Sequence, residues 1–564
     1  MKKKALALLL CASMTVTCLG GCSKGDNASA AGDTTKDTQA TTTAAGTEPG
    51  SSQAEAPVGE TTEGLSSIFP LEEPVTLTYY IVQNSAMSAT MESYADVEFF
   101  KELEEKTNVH IEWNHNTSDE GFALMIASGE LPDMINWNLN KAAGGVPSLL
   151  EDDVIIDLTE LLPKYAPNYY NWMKKNPEED KAFKLDDGTY YQFVNFNCNW
   201  EDEDIVYFKI LGPQIRQDWL EKVNKEMPTT TDELYDVLCA FRDNDVNGNG
   251  DPNDEIPYVI STDYKSNLWT MGGSFGARND FQMLDGEVVY GPLTDNYKEF
   301  ITYMNKLYSE GLINTDFAVN KDSLNMLMQD RAGFTIASMG SGLIATHDAL
   351  KQENPEANYV SVPWLKGPKG HQSFTQDSNA NPRSTAITTA CKNPEIALAW
   401  LDYAYSYAGS MGSTFGIEGK SYEFIDGYPT IMDEVKQNDK GWSEEQSISR
   451  WMLGSINYPN ARDYRFYEQI NLNEDYKVDI QTNWGLATEE ITMPPVVLTS
   501  EESSVYSGIM ADVTTYVDEC SLKFIIGSMS LENDWETFVS NIKSMGIDEA
   551  LACKKAAYER YQGR

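Results

Sequence analysis

Apolar positions along this chain change their period several times, and each change marks an element. Val75-Thr76-Leu77-Thr78-Tyr79-Tyr80-Ile81-Val82 is β-branched and aromatic, which predicts a strand. A polar loop follows, and Asp96 is then the expected cap of a helix whose Phe99, Phe100 and Leu103 form one apolar side. Val109, Ile111 and Trp113 alternate as a second strand. Strand, helix and strand at this spacing predict a parallel α/β sheet. The pattern goes on with a helix over 123–127, a turn at Gly129-Glu130-Leu131-Pro132-Asp133 and a short strand at Met134-Ile135-Asn136-Trp137. Farther along, Phe300, Met304 and Leu307 stripe a helix that Gly311 ends. Asn393, Pro394 and Glu395 supply an N-cap, a first-turn proline and an acid matched to the helix dipole. They open a helix carrying Ile396, Ala397, Trp400, Leu401 and Ala404. Aromatics within these stripes read as core.

The first 68 residues carry no such pattern. Lys2, Lys3 and Lys4 precede an apolar run from Ala5 to Val16 that is too short to span a bilayer, so 1–21 reads as a secretory signal peptide. Leu19-Gly20-Gly21-Cys22 resembles the lipobox of bacterial lipoproteins. That resemblance implies that Cys22 is acylated, with palmitate among the expected chains, and becomes the first mature residue. From Ser23 to about Ser67 the chain is Ser, Thr, Ala, Gly, Asp and Glu with almost no large apolar side chain. Such a segment cannot offset the entropy of ordering it, so 22–68 reads as a lipidated cysteine and flexible tether. The expected location is the outer face of the cell membrane.

Composition narrows the partners. At 564 residues the chain should divide into more than one lobe. Its net charge of -45 becomes three units more negative once Lys2 to Lys4 are removed, which argues against nucleic acid and against charge-driven docking on anionic lipid. Five of the eight cysteines fall after Cys22: Cys198, Cys239, Cys391, Cys520 and Cys553. They are scattered, odd in number and without C-x-x-C spacing, so they read as buried thiols with room for one pair at most. The four histidines, His110, His115, His347 and His371, form no H-E-x-x-H group.

Several short motifs occur together in one order. Ala127-Ser128-Gly129-Glu130-Leu131-Pro132-Asp133, Leu158-Thr159-Glu160-Leu161 and Lys164-Tyr165-Ala166-Pro167 come first. Ile215-Arg216-Gln217-Asp218-Trp219-Leu220, Met227-Pro228-Thr229-Thr230-Thr231-Asp232-Glu233-Leu234, Phe415-Gly416-Ile417-Glu418-Gly419-Lys420 and Lys523-Phe524-Ile525-Ile526-Gly527 follow. In this order, over about 75–562, the chain resembles the extracellular solute-binding proteins (family 1) of carbohydrate ABC transporters, in their large Gram-positive lipoprotein branch. The resemblance implies an α/β, two-lobed periplasmic-binding-protein-like fold with a hinge and an interlobe ligand cleft. By that analogy 69–200 plus 365–425 form the N-terminal lobe, and 201–364 plus 426–564 the C-terminal lobe.

Residues 241–255 carry the sharpest local signal. Asp245, Asn247, Asn249 and Gly250 fit D-x-[DN]-x-[DN]-G, in which alternate oxygens converge on one cation and glycine permits the reversal. The twelfth position is Ile256, so Asp254 or Glu255 has to supply the closing carboxylate, with Asp251 giving its carbonyl. A second register from Asp243 places Gly248 sixth and Asp254 twelfth. The first is preferred because it resembles calcium loops of the same family. The expected cofactor is a structural Ca2+; a metal-free Asx-rich turn is the plain alternative.

No G-x-S-x-G, G-x-x-x-x-G-K-[ST] or dinucleotide G-x-G-x-x-G motif occurs, and the chain is not expected to be an enzyme. Sugar binding calls for aromatic faces and planar polar side chains. Trp137, at the carboxyl end of a predicted strand, is the leading candidate, since ligands of open α/β sheets sit outside that edge. It also matches in spacing a tryptophan beside the sugar in maltose-binding relatives. Gln83 and Asn84 follow the first strand likewise; Trp200 and Tyr207 lie near the first expected crossing, Trp269 precedes a Gly-rich turn, and Trp364 and Arg383 flank the return. The expected function is capture of an extracellular oligosaccharide by a lipid-anchored monomer and its delivery to ABC permease subunits. The rivals are a surface glycoside hydrolase or lyase, and a sensory module for a membrane kinase.

Overall fold

The structure, a computed structural model, describes residues 64–251, 253–260, 265–319, 323–375, 383–437, 439–442, 444–451, 458–471 and 475–564. The signal segment, Cys22 and all but the end of the expected tether lie outside the described residues. Leu65, Phe69 and Leu71 already pack against the first core, so the folded body starts slightly before the expected boundary.

Val75–Ile81 lies at the centre of the first lobe's sheet because both of its faces are covered. It pairs in parallel with Val109–Asn114, Val75 opposite Val109, and with Met134–Trp137, Tyr79 opposite Met134. Ser384–Ile387 closes the order on the far side of Met134–Trp137, antiparallel, with Ser384 opposite Trp137. The turn at Pro132-Asp133 is tied to the central strand. Asp133 Oδ2 accepts from Thr78 N and Thr78 Oγ1 at 2.7 Å each, and Asp133 N donates back to Thr78 Oγ1 at 2.8 Å.

The crossover helix Glu98–Thr107 buries Phe99, Phe100 and Leu103, as its stripe requires. Asp96 is not its cap. A short 3-10 turn, Tyr94–Asp96, intervenes, and Asp96 closes a capping box with Ser93 while Val97 takes the N-cap position. The next helix runs Asp119–Ser128, longer than expected, because the Ser118 hydroxyl accepts from Gly121 N at 2.9 Å. Asn393 sits at the N-cap of Pro394–Asp402 without a side-chain bond.

The second lobe's sheet has the order Tyr359–Ser361, Leu211–Arg216, Ala332–Ser338, Ile256–Tyr258, with only the last pair parallel. Leu211–Arg216 is buried at every position. Its last residue explains the Ile215 to Leu220 motif: the enclosed Arg216 guanidinium forks onto Asp218 at 2.8 and 2.7 Å, pairs with Asp330 and stacks on Trp219. Thr230 and Glu233 form a capping box ahead of Thr231–Arg242. Asp295–Ser309 buries Phe300, Met304 and Leu307 in the second core, packed against the long helix Ser500–Ile525, which in turn carries Ile547–Gln562.

The crossings differ from the expected boundaries. Phe196–Asn199 and Asp204–Val206 pair with each other and stay with the first lobe, so the chain leaves it at 207–210. Residues 365–375 remain with the second lobe, where Ser373 N donates to Gly273 O at 3.0 Å and Phe374 N to Thr488 O at 2.7 Å. The chain has returned by Arg383. The segment after 425 stays with the first lobe much longer than expected, since Ala461–Asp463 pairs in parallel with 196–198 and Tyr458 and Ala461 enter the first core. Asp475–Trp484 then packs Ile480 and Trp484 under the second lobe's sheet.

A polar clasp joins the lobes. From Ile547–Gln562 and its end, Arg560 Nε meets Asp186 Oδ2 at 2.7 Å and forks onto Glu502 at 2.8 and 2.6 Å. Arg564 reaches Asp186 Oδ1 at 2.7 Å through Nε and the Lys181 and Lys184 carbonyls at 2.7 and 2.9 Å through Nη1. The five cysteines are all free.

Candidate functional site

Parallel strands end on one edge of the first sheet, and there the side chains gather. Trp137 closes its strand with its ring 6.0 Å from Tyr80 and 6.4 Å from Phe122, and only 7% of its surface is exposed. Arg383, just before the antiparallel edge strand, lies over the Trp137 ring at 5.5 Å. Asp119, in the first turn of the helix after the second strand, takes Lys141 Nζ at 2.6 Å. Lys141 holds the Asp119 carboxyl below the usual carboxylate range, and Trp137 and Arg383 add to the effect. The Trp137 indole N–H lies on the Asp119 side without an acceptor in hydrogen-bond distance.

The rest of this edge is rigidly wired. The Tyr94 hydroxyl donates to Val82 O at 3.1 Å. His115 uses both ring nitrogens, Nδ1 on Ile81 O at 2.9 Å and Nε2 accepting from Tyr94 N at 3.1 Å. Burial lowers its pKa, which fits the neutral ring those bonds require. Asn84 Oδ1 caps the short helix Ser85–Ser88 through Met87 N at 2.7 Å, and Gln83 Nε2 donates to Met91 O at 3.3 Å.

Of the eight residues singled out by sequence, Gln83, Asn84, Trp137 and Arg383 therefore share one edge. The other four do not join them. Trp200 donates to Ser410 Oγ at 2.9 Å and lines a separate cavity of about 230 Å³ with Trp172, Asn168 and Tyr407. Tyr207 donates to Glu179 at 2.6 Å beside a cavity of about 290 Å³ that also contains Glu489 and Tyr561. Trp269 stacks on Tyr297 at 5.8 Å against the second core. Trp364 is a core residue, 2% exposed and edge-on to Phe374 at 5.5 Å. Asp119 and Lys141 were missed by sequence reasoning; Ser118-Asp119-Glu120, a cap followed by two acids, was the available signal.

The 245–255 loop is held by its own side chains. Asp245 accepts from Gly248 N at 2.8 Å and Gly250 N at 3.0 Å, and both glycines sit at positive φ, +77° and +91°. Asn247 and Asn249 donate to Asp254 at 3.1 and 3.0 Å, and their own oxygens accept from Asn249 N and Asp251 N. Asp243 is held by Arg242 outside the loop at 2.8 and 3.1 Å, which favours the register from Asp245. Among the described residues no three His, Cys, Asp or Glu side chains converge in metal-holding geometry. Glu255 Oε2 is buried without a partner, and burial raises the pKa of that carboxyl.

Two α/β lobes linked by several crossings, with a polar and aromatic edge at the strand ends, define the class of two-domain ligand-binding proteins. The model of the bacterial extracellular solute-binding protein family matches residues 88–411, and the chain belongs to that family. This is a binding family, and the chain is a binding protein rather than an enzyme. The chain is 26% identical over 519 residues to the fructooligosaccharide ABC transporter substrate-binding protein FusA of Streptococcus pneumoniae serotype 4, covering 88% of this chain and 92% of FusA. It is 25% identical to Lipoprotein LipO of Bacillus subtilis strain 168 over 81% of this chain and 88% of LipO. The crystal structure of the alginate-binding protein AlgQ2 without calcium ion superposes with a TM-score of 0.70 at 24% identity, covering 87% of this chain and 99% of AlgQ2.

Proposed function

We infer that this protein captures an oligosaccharide outside the cell and hands it to an ABC permease. The observation that carries the reading is the Trp137, Arg383, Asp119 and Lys141 group at the carboxyl edge of the first sheet. An aromatic face packs against the apolar face of a pyranose or furanose ring, and fixed charged groups take up its hydroxyls. FusA and AlgQ2, whose names specify sugars, support a carbohydrate ligand. Ligand touching both lobes favours the closed arrangement only to the extent that it binds that arrangement more tightly. The permease then recognises the closed form, and no bond is made or broken here. Acylation at Cys22 keeps the protein on the outer membrane face; LipO, named a lipoprotein, supports that part.

The cofactor that fits the 245–255 loop is Ca2+. Asp245, Asn247, Asn249, Asp251, Asp254 and Glu255 would hold it, and the partnerless Glu255 oxygen is the observation in its favour. Its role is to pin the loop between Thr231–Arg242 and Ile256–Tyr258. Thermal-shift screening against a glycan panel tests the main reading. Stabilisation by at least one oligosaccharide, recovered uncleaved, is expected; shortened products or a panel without a single hit would reject it.

A further inference from the structure

The polar clasp between the lobes and the edge around Trp137 lie at opposite ends of the first sheet. Ser384 stands opposite Trp137 and Ile387 opposite Met134, so Ser384–Ile387 runs away from the Trp137 edge. Phe193 pairs antiparallel with Thr385, and the segment before it heads for the Met134 end, where Lys184 and Tyr190 pair across the turn that carries Asp186. A cavity of about 460 Å³ lined by Asp153, Leu185, Asp187 and Thr389 marks the same end, since Thr388 N donates to Asp133 O at 3.0 Å just ahead of Met134. The crossings leave from the other end. Arg383 brings the chain back over Trp137. Asp204–Val206 and Ala461–Asp463, which precede the first and third crossings, pair with 196–199 on the Trp137 side of Phe193. Along the sheet the order is therefore clasp, crossings, ligand edge. Lobes that swing about such crossings act as a lever, and bringing them together over the Trp137 edge parts them at Asp186.

The clasp is made in the arrangement described. Asp186 accepts from Arg560 Nε and Arg564 Nε at 2.7 Å each, and Ser500 Oγ donates to Glu151 Oε2 at 2.7 Å beside them. Bonds this short are gone once their partners part beyond about 3.5 Å. The Arg564 side chain, 2% exposed, then loses its carboxylate.

We propose that Asp186, Arg560 and Arg564 form an autoinhibitory latch, made while the lobes are apart and broken before they close on ligand. The inference rests on the reading that ligand is held between the lobes, and adds a control of affinity that lies outside the ligand site. A ligand turns the latch over only by binding the closed arrangement more tightly, and the latch's share is subtracted from the affinity that remains.

Asp186→Asn and Arg564→Gln each release the latch without touching the Trp137 edge. Calorimetric titration uses the tightest binder from a panel of fructo-, malto- and xylo-oligosaccharides. Both variants should bind it about tenfold or more tightly than the native protein, although both unfold at lower urea. Lower stability with higher affinity is the signature, because a pair that merely supports the fold would leave affinity equal or reduce it. Affinities equal to the native value, or weaker, overturn the latch while sugar capture stands. Small-angle scattering of the proteins without sugar should give a smaller radius of gyration in the variants. If no glycan of the panel binds the native protein, the carbohydrate reading falls, and equal radii of gyration then overturn the latch on their own.

Discussion

Replacing Asp186 by Asn removes the shared anion of the interlobe clasp while keeping its shape. Arg560 would still fork onto Glu502, but the Arg564 side chain, 2% exposed, would be left with two carbonyls and no carboxylate. Unit charges about 4 Å apart at an effective dielectric of about 20 attract by about 4 kcal/mol. Asp186 retains 24% exposure and the carbonyls remain as acceptors, so roughly half of that, about 2 kcal/mol, should be lost. A double-mutant cycle with Arg564→Gln, read by urea unfolding through tryptophan fluorescence, should return a coupling of about 2 kcal/mol. Additivity within about 0.5 kcal/mol would refute the argument that this pair holds the lobes' arrangement.

Three further outcomes are expected. Burial raises the Asp402 carboxyl to about 7, above its unfolded value, although it accepts from Asn168 N and Tyr169 N; the folded state then holds the extra proton, so stability should fall as pH rises from about 4 to 7, and Asp402→Asn should flatten that slope. An unchanged slope in the variant speaks against it. Excess EGTA should lower the melting temperature of the native protein but not of Glu255→Gln, and equal responses would argue against a cation in the 245–255 loop. Arg216→Met should cost about 3 kcal/mol or more by stranding Asp218 and Asp330, measured by urea midpoint; a near-neutral result would mean those carboxylates find water.

Much of the fold was legible because its elements are locally encoded. The β-branched and aromatic run in 75–81, the alternation in 109–113 and the Phe99, Phe100, Leu103 stripe depend only on neighbours a few residues away. The recurring motifs turned out to be structural: Asp133 ties a turn to Thr78, Arg216 pays for its burial with two carboxylates, and Glu233 caps a helix. The third crossing was misplaced because Ala461–Asp463 joins a strand some 265 residues earlier, and no local periodicity reports such a pairing. Trp137 could be found from its place after Pro132-Asp133, whereas Trp364 occupies a similar strand-end position and is core. What separates them is the packing of Asp475–Trp484 beneath the second sheet, which is non-local. Asp119 escaped because its helix has no clear apolar stripe, with Leu124 70% exposed while Phe122 is buried, and Lys141 because it ends a separate short turn, Leu139–Lys141, and meets Asp119 only across the fold.

The most direct measurement is calorimetric titration of the protein and of Trp137→Phe with an oligosaccharide identified by screening, with the sugar analysed afterwards. Phe keeps an aromatic ring beside Tyr80 and Phe122 but removes the indole N–H together with part of the ring face. Saturable one-to-one binding, intact sugar and affinity at least about tenfold weaker in the variant are expected, since the indole N–H and part of the stacking face are lost together. Cleaved sugar, or a Trp137→Phe affinity equal to that of the native protein, would contradict sugar capture at this edge.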